Sequence, residues 1–296
     1  MEHFKYISKK TNSVFDPLFT KAQTHVPWKE WFENSDRPLD CREEYLKTIH
    51  EWIGKTQRNC VFGLDRFTER HLINGTTQTF DETYMKYAGK RLRFFPGEYA
   101  YHRRVFSNYA FIDDDNPTLE DGDWVIVSAP HCTLGDTHPK MWEMMDRALE
   151  KNVPVIVDCA YFGTCSGVII DVTHPAIESV SFSLTKGLGM GDIRSGIRYS
   201  NIRDTNPICQ QNEYNHTILS AAKIGLWMMS HFGPDFIPNK YIDMQKSLCS
   251  EVGIQPTKCM HLALGDASRW PDHIIDGKYY RLGIRELIKA RRKGEI

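Results

Sequence analysis

The segment Ser181-Phe-Ser-Leu-Thr-Lys186-Gly-Leu-Gly-Met-Gly-Asp-Ile-Arg194-Ser-Gly196 carries the residues best suited to chemistry. It opens with strand-like alternation and then turns glycine-rich, which places Lys186 at a strand end, where ligands of open α/β sheets commonly sit. A lysine partly desolvated beside a second cation loses its proton more readily, and its amine can then attack an aldehyde to form a Schiff base. Gly187, Gly189 and Gly191 remove side-chain bulk, so a planar ligand can approach the backbone. Arg194 offers a fork of donors and Ser183 a hydroxyl, both suited to phosphate. Lysine, aldehyde and phosphate together describe pyridoxal-phosphate chemistry. Taken alone, Lys186 reads more simply as a solvated lysine in a flexible turn.

The neighbours bear on that choice. Val153-Pro-Val-Ile-Val-Asp158-Cys-Ala-Tyr161 ends an apolar strand with an acid. A carboxylate there needs a partner, since an unpaired buried charge is very costly, and a pyridinium N–H is one such partner. Asp158 equally reads as a strand-end cap of the next turn, and Tyr161 as a packing aromatic. Upstream, Asn74-Gly75-Thr76-Thr77 precedes a helical run over 79–88, and the free N–H groups at a helix start bind phosphate. A glycine turn with a threonine N-cap is the plainer reading of Gly75, Thr76 and Thr77.

These residues, in this order, resemble the class I/II aminotransferase family of fold-type I pyridoxal-phosphate enzymes. The family's lysine signature is matched by Ser183, Lys186, Arg194 and Ser195-Gly196, and its strand-end Asp-x-Ala-Tyr by Asp158-Cys-Ala-Tyr161. The resemblance implies a Schiff base on Lys186, Asp158 on the pyridine nitrogen, Tyr161 near the ring hydroxyl, and Gly75, Thr76 and Thr77 in the phosphate loop. It further implies that Tyr99, in Pro96-Gly-Glu-Tyr99-Ala-Tyr101, stacks on the ring, and that Arg281, in Gly277-Lys-Tyr-Tyr-Arg281, grips a substrate carboxylate. Two alternating aromatics also suit strand packing, and an arginine on an edge strand is commonplace. The chain departs from the family at Ser128-Ala-Pro130-His131-Cys132, where the family's asparagine would bond the ring hydroxyl. His131 or Cys132 fills that space, or His131 is a satisfied strand-end histidine.

Positioning such residues takes a sheet. Short apolar runs at Trp124–Val127 and Val153–Val157, with a helical stretch at 140–149 between them, predict parallel strands joined by crossover helices. Val180–Leu184 and Gly196–Tyr199 follow without a helix between them, which predicts a mixed sheet. Before the sheet, Cys41–Gly54 places Tyr45, Ile49, Trp52 and Ile53 on one helical face. Residues 1–45 read as an irregular arm punctuated by Pro17, Pro27 and Pro38, residues 46–205 as the large cofactor-binding domain, and 206–296 as a small C-terminal domain. The expected fold class is α/β: the fold-type I large domain, its mixed, mainly parallel sheet flanked by helices on both faces, plus a small α+β domain. The chain is short for the family, so cover for the substrate entrance is expected from a partner subunit or is missing.

Composition removes other classes. Of the 296 residues 41% are hydrophobic, and the 37 Lys and Arg balance 38 Asp and Glu to a net charge of -1, so no basic field exists to hold nucleic acid. No apolar run suits a membrane span or a secretory signal, and eight scattered cysteines without a CxxC pair favour a reducing cytoplasm. Ser183-Leu-Thr-Lys186 lacks the companion motifs of a penicillin-recognising enzyme, Ile49 replaces the first glycine a P-loop needs, and Asp113–Asp115 lacks the rest of an EF-hand. No zinc-like ligand spacing occurs, so no metal is expected. The expectation is a cytoplasmic homodimer with pyridoxal 5'-phosphate as cofactor, acting on an amino acid and a keto acid, with no nucleic-acid or membrane partner. A lyase, decarboxylase or cyclase of a specialised biosynthetic pathway is the alternative, and a non-catalytic binding module a third reading.

Overall fold

The computed structural model describes residues 2–202 and 205–296. Its centre is a seven-stranded sheet built from β1 (Glu69–Ile73), β2 (Arg91–Phe94), β3 (Tyr109–Phe111), β4 (Asp123–Ser128), β5 (Val155–Cys159), β6 (Ile177–Ser183) and β7 (Gly196–Ser200). The spatial order is β1-β7-β6-β5-β4-β2-β3. Pairing is parallel from β3 through β6, while β7 runs antiparallel to both of its neighbours, as the absence of a helix between β6 and β7 predicts. Every residue of β4 and β5 is buried, which is why these central strands read as continuous apolar runs rather than alternating ones. Asp123 at the start of β4 and Asp158 in β5 are the charged exceptions. Asp158 lies beside Ser128 on one side and Ser181 on the other, so the acid ends its strand between two small hydroxyl residues.

The helices of eight residues or more are α1 (Pro17–Thr24), α2 (Arg42–Gly54), α3 (Thr76–Lys86), α4 (Met141–Glu150), α5 (Leu219–His231), α6 (Phe236–Val252) and α7 (Arg285–Lys293). The predicted face of α2 is the buried one: Tyr45, Ile49, Trp52 and Ile53 all enter the core. A second, antiparallel sheet of four strands comprises β8 (Gln255–Pro256), β9 (Leu262–Leu264), β10 (Ile274–Ile275) and β11 (Tyr279–Gly283), in the order β8-β9-β11-β10. With α6 and α7 it forms the α+β part of the fold. No helix among the described residues is long and apolar enough to cross a membrane.

The N-terminal segment differs from the irregular arm expected of it. It holds α1 and a short helix, Trp28–Glu33. The cause is local: Pro17 starts α1 with its φ already helical, and the Asp16 carboxylate accepts from the Leu18 N–H, satisfying an otherwise orphaned donor. Ahead of α1 the chain runs along β11, with Ser8 N donating to the Gly283 carbonyl at 3.0 Å and Gly283 N donating back to Ser8 at 2.6 Å. A side chain at 283 would prevent this, since a Cβ there would lie 2.0 Å from the Lys10 carbonyl oxygen.

Candidate active site

The C-terminal ends of β5 and β6 and the start of α3 meet at one cleft. Lys186 sits on a helical turn, Leu184–Gly187, that β6 runs into. That turn lies backbone to backbone on the turn after β5: a Cβ on Gly187 would stand 2.7 Å from the Gly163 Cα. The glycine therefore serves close packing of two turns as well as access. Burial lowers the pKa of the Lys186 ammonium below its usual value, and Arg194 and Arg285 push the same way against the Asp158 carboxylate. The amine lies 6.0 Å from the centre of the Tyr161 ring.

Asp158 is almost fully buried and accepts from the Ala160 N–H at 3.0 Å and from the Thr76 hydroxyl. Burial outweighs those bonds and Lys186, and its pKa is pushed up to about 7. The Tyr161 hydroxyl lies 3.4 Å from Thr11 Oγ1, and burial holds its pKa well above the ordinary value, so it stays protonated. Arg194 reaches across to the start of α3, donating to Thr77 Oγ1 at 3.1 Å and to the Asn74 carbonyl at 3.4 Å. Gly75, with φ at +73°, provides the bend: a Cβ there would stand 2.6 Å from an Arg194 nitrogen. Helix start, arginine and threonine hydroxyl thus form a cradle for an anion. The helix begins at Thr76 itself, three residues earlier than the sequence run, because Gly75 supplies the non-helical cap.

Arg281 on β11 donates toward the Cys132 carbonyl at 3.5 Å and Thr133 Oγ1 at 3.3 Å. Tyr99 lies exposed in the loop after β2, its ring stacked on Tyr101 at 5.8 Å rather than in a strand. Its hydroxyl pKa is raised, first by burial, with Cys132, Arg194 and Asp158 close enough to act on it.

Ser183 and His131 are both held by partners within the chain. The Ser183 hydroxyl caps the turn that carries Lys186: it accepts from the Thr185 N–H at 3.2 Å and lies 2.9 Å from Thr185 Oγ1 and 3.4 Å from the Ser195 carbonyl, so it holds the lysine's turn. His131 is wholly buried inside its own loop, where Nδ1 accepts from the N–H groups of Thr133 and Leu134 at 3.3 Å and Nε2 lies 3.8 Å from Glu98. The thiol of the next residue, Cys132, lies 3.6 Å from Ser128 Oγ and near enough to Glu98, Asp158, Lys186 and Tyr161 to feel or shift their charges. Burial pushes its thiol pKa well above the usual value, so it is a neutral, weak donor.

Cover for the site, expected from a partner subunit or not at all, comes in part from this chain. Asn12, Ser13 and Phe15 line a cavity of about 440 Å³ together with Lys186, Arg194 and Arg285, so part of the entrance is closed by the chain's own N-terminal segment. The proline-punctuated composition of that segment gave no hint of its destination.

These residues fit pyridoxal phosphate. The Gly75 cradle beside Arg194 suits the phosphate, the buried Asp158 suits a protonated ring nitrogen, and the partly desolvated Lys186 suits the aldehyde. No protein-family model matches the chain, and no curated protein matches it. Solved structures do. The Thermus thermophilus aspartate aminotransferase, as a mutant complexed with tryptophan, matches with a TM-score of 0.64 and 12% identity over 96% of this chain and 88% of that one. The histidinol-phosphate aminotransferase of Clostridium acetobutylicum matches with a TM-score of 0.60 and 14% identity over 98% of both chains. A proposed PLP-dependent beta-cystathionase of Corynebacterium diphtheriae matches with a TM-score of 0.62 and 13% identity over 96% of this chain and 91% of that one. The chain has the fold of these enzymes.

Proposed function

We propose that this protein is a pyridoxal-phosphate-dependent aminotransferase acting on an amino acid and a 2-keto acid. One observation carries the reading: Asp158 and Tyr161 from one stretch of the chain, Lys186 and Arg194 from another and the start of α3 from a third come together at the sheet's C-terminal edge. When bound, the cofactor supplies an electron sink for charge developing at the substrate's Cα. Lys186 Nζ would hold its aldehyde, and Asp158 would hold the proton on its ring nitrogen. Arg194, Thr77 and the first N–H groups of α3 would bind the phosphate, and the Tyr161 hydroxyl would donate to the ring oxygen. Lys186 Nζ would also serve as the base that takes the substrate's Cα proton and returns it, a role its lowered pKa favours. Arg281 presents paired donors to the substrate carboxylate, and the 11–15 segment keeps water from one side of the cleft.

Reconstitution tests this directly. The native protein takes up a coloured cofactor, and borohydride fixes it as added mass on the peptide containing Lys186, whereas Lys186→Ala gains no such mass and turns over no amino acid. A colourless native protein sinks the reading. Cys132, a weak thiol donor where the family has asparagine, favours a second reading as a lyase, decarboxylase or cyclase. Incubation with an amino-acid panel separates the two: turnover that requires 2-oxoglutarate or pyruvate marks amino transfer, while ammonia, carbon dioxide or a cyclised product released without a keto acid marks the alternative. The proposal includes a cytoplasmic homodimer, and light scattering of the pure protein reads the oligomeric state.

A further inference from the structure

His261 stands immediately before β9 and is fully buried, yet neither Nδ1 nor Nε2 finds a hydrogen-bond partner among the described residues. Its ring meets that of Tyr161 edge to face at 4.6 Å. Lys186 and Arg281 both lie near enough to add to burial in holding the imidazole neutral, so one nitrogen carries a proton and the other a lone pair. Arg281 shows the same incompleteness, since its Nε is buried without a partner. The two residues stand on one rigid frame: β9 and β11 are paired, and Ile284 N donates to the His261 carbonyl at 3.0 Å. A buried polar group left unpaired bears its whole desolvation cost, and two such groups converging on one cleft mark the place where a ligand's oxygens complete them. Cys132, as a neutral thiol, offers no second donor of comparable strength beside Arg281.

We propose that His261 is a substrate-binding residue, donating its imidazole N–H to the carboxylate that Arg281 holds, and so selects α-amino acids over amines that lack the carboxylate. This rests on the pyridoxal-phosphate reading above and extends it to a residue that packs against Tyr161 from the second sheet. The test uses the full-length holoenzyme with His261→Phe and His261→Gln, an amino-acid panel and the matching decarboxylated amines, with binding followed through the cofactor's absorbance. In His261→Phe the cofactor band persists and the half-saturating amino-acid concentration rises by roughly ten- to a hundredfold, the worth of a hydrogen bond to a charged group. Its kcat falls far less, binding of the amines does not change, and His261→Gln, which keeps a donor, recovers most of the loss. Unchanged amino-acid affinity in His261→Phe, or equal weakening for acids and amines, overturns the proposal. Should both variants misfold, ¹⁵N-histidine spectra of the native holoenzyme decide: an amino acid brings out a newly hydrogen-bonded imidazole N–H, and a spectrum that does not respond overturns the role. A native protein that binds no cofactor removes the underlying reading and this role together, whereas a loaded protein indifferent to His261 removes this role alone.

Discussion

A carboxylate sealed between Ser128 and Ser181 at the end of β5 is a costly thing to keep. The Asp158 pKa lies at about 7 in the folded chain against 3.8 for the free group, so between those values the folded state holds a proton that the unfolded state has released. Stability therefore falls as pH rises through that window, and the full cost is present above pH 7. Each tenfold change in proton affinity is worth about 1.4 kcal/mol, which makes the cost of the ionised form several kcal/mol at the outside. A ring N–H would offset it. Asp158→Asn, which keeps an acceptor for Ala160 N, is expected to melt at a higher temperature than the native protein when both are free of cofactor at pH 8. The advantage shrinks toward pH 5, and cofactor affinity drops at least tenfold. Thermal unfolding at the two pH values, paired with an absorbance titration of pyridoxal phosphate, checks both halves; a variant that is less stable at pH 8 and binds the cofactor normally contradicts the assignment.

Among the elements, the turn Leu184–Gly187 and the turn after β5 act as one support, because the Gly163 and Gly187 backbones touch without side chains between them. Gly187→Ala forces them apart. Backbone cannot yield as a flexible side chain can, so the expected cost is about 1–3 kcal/mol of overpacking. Lys186, one residue away, moves with its turn, and cofactor loading should fall more than global stability does; equal loading in the variant would mean that the turns are not coupled. Lys186, Asp158 and Arg194 were legible in the sequence because each belongs to a local pattern of strand, turn and glycine. Ser183 was legible only in part: its position was readable, but whether a hydroxyl caps its own turn or waits for a ligand depends on where the Thr185 N–H points. Between His131 and Cys132 the pattern could not choose, since a one-residue difference in a loop exchanges the side chain that faces the site. Asp16-Pro17 did carry a helix-start signal that the surrounding prolines obscured. His261 has no local signature at all, because strand pairing and the packing of Tyr161 against it, across 100 residues of sequence, decide what it faces.

At the scale of the whole molecule, the cleft is closed by polar ties that span the two sheets. Asp276, at the tip of the β10–β11 hairpin, accepts from the Gly97 N–H at 2.8 Å and from Arg103 at 2.9 Å, and Asp114 accepts from Lys278 and Tyr279 on the same hairpin. Each pairing joins the surroundings of one sheet to those of the other, so together they fix how β11, and with it Arg281, stands against the large sheet. Surface ion pairs alone contribute little, but the Asp276 side chain is only 6% exposed, and its loss strands a backbone N–H as well as a guanidinium. Asp276→Ala should cost about 1–3 kcal/mol, the range for a buried donor left unsatisfied. It also places an alanine at a φ of +50°, a conformation that asparagine tolerates better. Asp276→Asn is therefore the informative comparison: it keeps an acceptor and suits the backbone but removes the charge. If the hairpin positions Arg281, both variants raise KM for the amino acid with kcat less affected, alanine more than asparagine, while the cofactor's absorbance and its borohydride adduct on Lys186 stay unchanged. A loss of bound cofactor in step with the rise in KM would instead place the tie in the support of the large sheet, and the separation of substrate grip from cofactor grip argued for Arg281 would have to be abandoned.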